Sequence, residues 1–192
     1  MPRPEVALFG GSFDPPHLGH AYVITSVLAL EPVEELWLLP THSHAFGKRL
    51  ADFDLRRRMC EALAEIFGRR VSVSSIEAEL AEAPGAEGLS RTVDTLAALR
   101  ERFPERDFGW VIGSDLVSEI PSWKEPERLR SLARIIVVGR EGRGESDDPG
   151  VPIPDLSSTD VRARLAAGKS IDHLVPAAVR RLALTAPHYR RS

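Results

Sequence analysis

The fold of this protein is decided by residues 6–20, VALFGGSFDPPHLGH. The stretch opens with four apolar residues, 6–9, which have the length of a buried strand and end at Gly10 and Gly11. A segment with apolar residues at helical spacing, residues 18–30, follows directly. A buried strand that passes through a glycine turn into a helix is the opening unit of an α/β fold.

The same alternation of strand and helix continues along the chain. Four further apolar runs have the length of a strand: residues 36–39, 71–76, 108–112 and 135–138. Three segments between or beside them have apolar residues at helical spacing: residues 55–67, 92–103 and 129–133. Because parallel strands need a crossover that a helix supplies, this order predicts an α/β, doubly wound, Rossmann-like domain with a mostly parallel sheet.

The composition changes after the last predicted strand. Residues 140–154 are polar and rich in glycine and proline, without apolar periodicity, and predict a mobile surface loop. Helices are predicted to begin near Ser157 and after Pro176, which form a C-terminal helical segment. We expect a single domain over residues 1–192: a core at 1–139, the loop at 140–154, and the helical part at 155–192.

Composition and charge exclude several classes of protein. With 192 residues, 25 basic and 28 acidic, the net charge is -3, which argues against a dedicated nucleic-acid-binding protein. One cysteine, Cys60, excludes an internal disulfide framework and suits a reducing compartment. The apolar stretch 21–30 is shorter than the roughly 20 residues of a membrane span and lacks the flanks of a signal peptide. We therefore expect a cytoplasmic protein without membrane or nucleic-acid partners.

The turn after the first strand has the composition of an anion site. Gly10 and Gly11 let backbone amides approach a phosphate, and the following helix start adds N–H groups and a positive dipole end. His17 and His20 lie three residues apart, so that on a helix both can donate to the same phosphate. Gly19 between them removes a side chain that could obstruct a nucleotide. The plainer interpretation is an ordinary turn with surface histidines; zinc pairs prefer a spacing of four, so no metal site is predicted.

A second anion site is predicted near the other end of the chain. Ser157, Ser158 and Thr159 at a helix start offer hydroxyls and N–H groups, and Arg162 one turn later adds a planar cationic fork. The alternative is a capped helix with Arg162 in solvent.

These motifs resemble a known family. Residues 10–20, GGSFDPPHLGH, resemble the signature of the His-x-Gly-His nucleotidyltransferase superfamily, and residues 156–162, LSSTDVR, resemble its second motif. Residues 90–96 (SRTVDTL), 111–115 (VIGSD) and 121–123 (PSW) are similar to segments of the bacterial nicotinate-nucleotide adenylyltransferases within it. The resemblance spans nearly the whole chain and implies a nucleotidyltransferase domain.

The resemblance implies adenylyl transfer from ATP to a pyridine mononucleotide, with release of pyrophosphate and no protein nucleophile. Catalysis would rest on alignment of the reactants and neutralisation of charge, with Mg²⁺ bridging the triphosphate. The residues that the resemblance assigns to this task are His17, His20, Arg162 and Lys48. For Lys48, which lies on a predicted loop, the alternative is a solvated side chain.

The resemblance also assigns binding residues. ATP contacts fall on the first turn, after the fourth strand, after the last strand and at the late helix start: Gly10, Gly11, Ser12, Phe13, Gly113, Asp115, Arg140, Ser157, Ser158 and Thr159. Trp123 would stack on the pyridine ring, and Thr92 would lie near its substituent. Simpler roles are a helix cap for Asp115, packing for Trp123 and solvation for Arg140.

Two departures from the family pattern bear on the acceptor. Residues 41–48 read THSHAFGK where many relatives have Pro-Pro-His-Lys, and Arg91 stands where a tyrosine is frequent. Arg91 could pair with a nicotinate carboxylate, so nicotinate mononucleotide is the first choice and nicotinamide mononucleotide or phosphopantetheine the alternatives. A regulatory module that senses ATP is the non-enzymatic alternative, and a homo-oligomer is compatible with apolar residues near the C-terminus.

Overall fold

The computed structural model describes residues 3–42, 50–83, 91–139 and 156–189. Lys48, Arg140 and the predicted loop at 140–154 lie outside the described residues.

A five-stranded, entirely parallel sheet forms the centre of the described structure, with strand order β3-β2-β1-β4-β5. The strands are β1 (Glu5–Gly11), β2 (Glu35–Pro40), β3 (Val71–Val73), β4 (Asp107–Gly113) and β5 (Arg134–Val138). This order is that of a doubly wound nucleotide-binding sheet, and it confirms the predicted fold class.

Seven α-helices lie within the described residues: α1 (Leu18–Leu30), α2 (Phe53–Ala64), α3 (Ile76–Glu82), α4 (Thr92–Arg102), α5 (Pro126–Leu132), α6 (Ser158–Ala166) and α7 (Ala177–Thr185). Three 3-10 segments accompany them, at Glu65–Arg70, Ser114–Ser122 and Pro187–Tyr189. Among the described helices, none has the length and apolar character that a membrane crossing requires.

Two sequence-based element boundaries were wrong. The run 71–76 is not one strand: β3 ends at Val73, and Ile76 begins α3, a helix that sequence reasoning missed. The Ser74 hydroxyl accepts a hydrogen bond from the Ile76 N–H at 3.3 Å, and this local turn ends the strand. The helix predicted for 55–67 ends at Ala64, and the following 3-10 segment contains Gly68 at φ 60°, a left-handed conformation that suits glycine.

Successive residues of β1 pack on opposite faces of the sheet. Ala7 lies in the core shared with α1, α2, α6 and α7, whereas Val6 and Leu8 lie in the core shared with α4 and α5. Strands buried on both faces explain why the apolar runs are continuous rather than alternating.

The centre of the sheet fixes where a ligand can enter. From β1 the chain crosses to β2 on one side, and it later returns to place β4 on the other side of β1. A doubly wound sheet leaves a crevice at the carboxyl ends of the two strands that flank such a reversal. The glycine loop, residues 10–17, begins at this point.

Candidate active site

A cavity of about 500 Å³ opens at the carboxyl ends of β1 and β4. Its wall combines Gly10, Gly11 and Ser12 of the glycine loop with residues from β4, the start of α4 and the segment before α5. Three residues predicted to bind the pyridine nucleotide also line it: Arg91, Thr92 and Trp123. Residues far apart in the sequence thus share one wall.

Gly10 is required by the tight packing of β1 on β4. A Cβ atom at this position would lie 3.0 Å from Cζ2 of Trp110, which is buried and lines the same cavity. The glycine therefore shapes the cavity floor as well as the turn.

His17 and His20 lie side by side, with ring centroids 3.8 Å apart. His17 precedes α1 as its N-cap residue with an extended backbone, φ −141°, so the two histidines do not share a helix face. Its N–H donates to Nδ1 of His20 at 3.0 Å. Because Nδ1 accepts this bond, the neutral imidazole of His20 carries its proton on Nε2, which can donate to a phosphate oxygen.

The two histidines do not both carry a positive charge at neutral pH. Burial of the ring, followed by the charge of His17, lowers the pKa of His20 well below its ordinary value of 6.5. At neutral pH His20 is therefore a neutral hydrogen-bond donor in the free protein.

Gly19 makes room for His17. A Cβ atom at position 19 would lie 2.9 Å from Nδ1 of His17, so a larger residue would displace the ring. The sequence predicts that Gly19 leaves room for a nucleotide. The contact that the structure describes at this position is with the side chain of His17.

The helix starts offer fewer unoccupied donors than the sequence suggests. The N–H of Leu18, the first residue of α1, donates to the Leu174 carbonyl at 2.8 Å. At the start of α6, Ser157 and Asp160 form a reciprocal capping box. The Ser158 hydroxyl donates to the Pro15 carbonyl at 2.9 Å, across 143 residues of sequence. The Ser158 hydroxyl thus connects α6 to the glycine loop.

Arg162 also joins the two motifs. Its Nη1 donates to the Asp14 carbonyl at 2.6 Å, and its Nη2 donates to the Thr159 hydroxyl at 3.2 Å. The side chain is 34% exposed, which leaves part of the guanidinium accessible. Arg162 is thereby joined to the glycine loop that leads into His17.

Phe13 packs beneath the histidine pair. It is buried, its ring centroid lies 4.9 Å from that of His20, and its φ is 46°. A left-handed conformation is rare for a bulky residue and is typical of strained functional loops.

Gly113, the last residue of β4, and Asp115, two residues later, do not line the cavity. Asp115 is exposed, and its carboxylate folds back over Gly113, where a Cβ atom would collide with Oδ1. Their contact with adenosine stays a prediction, as do the roles of Lys48 and Arg140.

Sequence reasoning missed two buried charged residues. Asp14 accepts hydrogen bonds from the Tyr189 hydroxyl at 2.5 Å and from the Ala51 N–H at 3.4 Å. Arg56, on α2, donates to the carbonyl of Ser12 at 2.9 Å and to that of Thr41 at 2.7 Å.

Arg56 stabilises the loops after β1 and β2, but its charged guanidinium loses contact with water because it is buried. Burial lowers the pKa of Arg56, and the negative charge of Asp14 opposes this shift. A sequence signal existed: Arg56 precedes the buried Met59 and Cys60 by three and four residues, on the apolar face of α2.

The chain is similar to known proteins in family pattern, sequence and fold. The model of the cytidylyltransferase-like family matches residues 8–164. A protein of Anaeromyxobacter dehalogenans (strain 2CP-1) named a probable nicotinate-nucleotide adenylyltransferase is 45% identical over 178 residues, 92% of each chain. One of the same name from Bacillus pumilus is 36% identical over 92% of this chain and 94% of its own.

Solved structures share the fold. Plasmodium falciparum nicotinic acid mononucleotide adenylyltransferase in complex with NaAD superimposes with a TM-score of 0.72 at 22% sequence identity. The match covers 93% of this chain and 94% of that one.

Proposed function

Because the chain belongs to the cytidylyltransferase-like family, and within it to the nicotinate-nucleotide adenylyltransferases, we propose that it transfers the adenylyl group of ATP to nicotinate mononucleotide. A phosphate oxygen of the mononucleotide attacks the α-phosphorus of ATP, the bond to the bridging oxygen of the β-phosphate breaks, and pyrophosphate leaves. The product is deamido-NAD. The observation that carries the proposal is the cavity wall that joins the glycine loop to Arg91, Thr92 and Trp123.

The pyridine end of the substrate fits one side of this cavity. Trp123 offers a flat aromatic face for stacking, and Thr92 stands at the start of α4 beside it on the wall. Lys124 lines the same cavity but is bound to Asp94 at 3.0 Å. We assign Arg91 to the nicotinate carboxylate, since its guanidinium can pair with both carboxylate oxygens.

One residue on the cavity wall favours the other pyridine nucleotide. Glu77 is 6% exposed and lines the cavity together with Arg91. A carboxylate accepts hydrogen bonds from an amide NH₂ and repels a second carboxylate. Nicotinamide mononucleotide is therefore the second candidate acceptor.

The phosphates are assigned to the histidine side of the glycine loop. His20 would donate from Nε2, and Arg162 from the N–H groups that Asp14 and Thr159 do not occupy. The N–H of His17 orients the ring of His20, and His17 itself is the last residue of the glycine loop. No protein nucleophile is required, since the chain supplies alignment and donors aimed at the charge that develops during transfer.

The adenosine and triphosphate contacts extend this assignment. We assign them to the glycine loop residues Gly10, Gly11, Ser12 and Phe13, to Gly113 and Asp115, and to the helix start at Ser157, Ser158 and Thr159. Lys48 and Arg140 are assigned to the phosphates from the family resemblance alone.

We propose that ATP enters as its Mg²⁺ complex. In the part of the chain that the structure describes, no three His, Cys, Asp or Glu side chains are grouped as a metal site. Mg²⁺ is commonly held by substrate phosphates and water with few protein ligands, and a site built from N–H donors fits that arrangement. When bound, the ion neutralises charge on the leaving pyrophosphate.

Three further expectations complete the proposal. A cytoplasmic location suits a reaction that consumes ATP, and one domain over residues 1–192 is expected because the site uses both ends of the chain. Association into a homo-oligomer stays a prediction.

The function is tested by offering the purified protein ATP, Mg²⁺ and one acceptor at a time. Pyrophosphate release is measured with nicotinate mononucleotide, nicotinamide mononucleotide or phosphopantetheine. Turnover with nicotinate mononucleotide above the other two is expected. Turnover with phosphopantetheine alone would identify a different transferase, and ATP binding without any release would favour the sensing module.

A variant of Arg91 separates the two pyridine acceptors. In Arg91→Gln, kcat/KM for nicotinate mononucleotide should fall by roughly tenfold, the typical worth of a charge-assisted hydrogen bond. The value for nicotinamide mononucleotide should change little. Equal losses for both acceptors would remove Arg91 from the recognition of the carboxylate.

A further inference from the structure

Asp14 is the point at which three distant parts of the chain meet. The residue is fully buried in the glycine loop. Oδ1 accepts a hydrogen bond from the hydroxyl of Tyr189, 175 residues away, at 2.5 Å. Oδ2 lies 3.9 Å from Nη1 of Arg162 and 3.9 Å from Nε2 of His188. A buried carboxylate with this surrounding is a strong acceptor that several donors can reach.

Arg162 binds the backbone of Asp14 and not its carboxylate. Nη1 donates to the Asp14 carbonyl at 2.6 Å, while the distance to Oδ2 exceeds hydrogen-bond length. A small rotation of the guanidinium would convert this arrangement into a direct ion pair. Such a pair would engage N–H groups that the triphosphate otherwise uses.

Tyr189 is suited to prevent that conversion. Its side chain is buried, and burial together with the hydrogen bond to Asp14 raises its pKa, so the phenol keeps its proton and donates at any physiological pH. The bond satisfies Oδ1 and holds the carboxylate in one orientation. Because Tyr189 holds Oδ1, the carboxylate keeps the orientation in which Oδ2 lies 3.9 Å from Nη1 of Arg162.

We propose that Tyr189 is a positioning residue for the transfer reaction: by binding Asp14, it keeps the guanidinium of Arg162 directed at the phosphates of ATP. The inference rests on the proposed function, because it needs Arg162 to contact the triphosphate. It assigns a role in the site to the 3-10 segment Pro187–Tyr189, which does not line the 500 Å³ cavity.

The test uses Tyr189→Phe, which removes the hydroxyl and keeps the ring. Tyr22→Phe is the matched control, since Tyr22 is the other tyrosine of the sequence and is 41% exposed on α1. Steady-state pyrophosphate release gives kcat and the KM for each substrate, with whichever acceptor the wild type uses. We expect a roughly tenfold lower kcat in Tyr189→Phe, an unchanged KM for the acceptor, and wild-type kinetics in Tyr22→Phe.

Two double variants separate positioning from general support of the fold. Once Arg162→Ala has removed the guanidinium, adding Tyr189→Phe should lower kcat by less than twofold, because there is nothing left to position. In the Asp14→Asn background, which lacks the competing charge, Tyr189→Phe should likewise have little further effect. The same tenfold loss in both backgrounds, or none in the wild type, overturns the proposal.

Melting temperatures of all variants show whether each protein is folded. If Tyr189→Phe does not fold, the single variants Asp14→Asn and Arg162→Ala carry the test. Positioning requires that Asp14→Asn lower kcat less than Arg162→Ala does, and the reverse order contradicts it. A wild-type protein that releases no pyrophosphate with any acceptor contradicts the proposed function itself. The two failures are therefore distinguishable.

Discussion

His20 shows how a neighbouring backbone group determines the chemistry of a side chain. The N–H of His17 holds Nδ1 of His20, which directs the remaining proton to Nε2. Burial and the charge of His17 keep the ring neutral. The ring therefore acts as an oriented donor, which needs no reorganisation when charge develops on the phosphate.

Replacement of His20 should affect turnover far more than stability. His20→Ala removes a donor placed at the developing charge, and we expect kcat to fall by about a hundredfold or more. His173, which is exposed, gives the control His173→Ala, with kcat within twofold of wild type. Pyrophosphate release measures both. Near wild-type turnover in His20→Ala would remove His20 from the catalytic assignment.

The lowered pKa of His20 also makes a prediction about stability. In the unfolded chain His20 takes up its proton near the ordinary pKa of 6.5, whereas the folded protein resists protonation until a lower pH. The unfolded state therefore binds more protons between these two values, and the free energy of unfolding decreases as pH falls below about 6.5. Above that pH the residue contributes no pH dependence.

Denaturant titrations between pH 5 and pH 7.5 measure this effect. The loss of stability toward pH 5 should be smaller in His20→Gln, which keeps a polar side chain without a titrating ring. An identical pH dependence in wild type and His20→Gln would show that other groups dominate.

At the scale of elements, the predicted helices and strands agree with the structure where a strong pattern coincides with a stop signal. Residues 18–30 were predicted as a helix, and α1 has the same bounds, because Glu31 and Pro32 end it. The prediction of one strand over 71–76 was wrong, since periodicity does not separate a strand of three residues from the start of a helix. In that case tertiary pairing with β2 selected the strand.

We predict that Arg56 on α2 stabilises the loops after β1 and β2. Arg56→Met leaves the carbonyls of Ser12 and Thr41 without their donor and removes one of the positive charges near Asp14. We expect the free energy of unfolding to fall by about 3 kcal/mol, as for the loss of one partner of a buried charged network.

The matched control lies one residue further along the same helix. Arg57 is bound to Asp54 and Glu61 on the solvent side, so Arg57→Met should cost less than about 1 kcal/mol. Guanidinium denaturation of both variants measures the difference. Equal losses in the free energy of unfolding would mean that Arg56 does not stabilise the two loops more than a surface arginine does.

At the scale of the molecule, the sheet separates a functional edge from a structural one. The carboxyl ends of the strands carry the cavity and the histidine pair, while Arg134 at the start of β5 binds Glu5 at 2.5 Å and Glu31 at 2.8 Å. The net charge of -3 is thus compatible with binding two anions, because the donors are concentrated at one edge.

Removal of the ion pairs of Arg134, at the edge of the sheet away from the cavity, should leave turnover unchanged. Arg134→Met breaks contacts of partly exposed groups, so we expect kcat within twofold of wild type and a loss of stability below about 1 kcal/mol. Pyrophosphate release and thermal denaturation test this expectation. A tenfold fall in kcat without unfolding would show that the two edges of the sheet are coupled.

The fold class could be predicted from the sequence alone, because strand length, helical spacing and glycine turns act over a few residues. The sequence also predicts two phosphate motifs with His17, His20 and Arg162, whose types and spacing match phosphate chemistry. The tertiary structure alone revealed Asp14, Arg56 and Tyr189 as parts of the site. Their roles depend on the burial of charge among segments up to 175 residues apart, and no local pattern encodes which buried donor meets which acceptor.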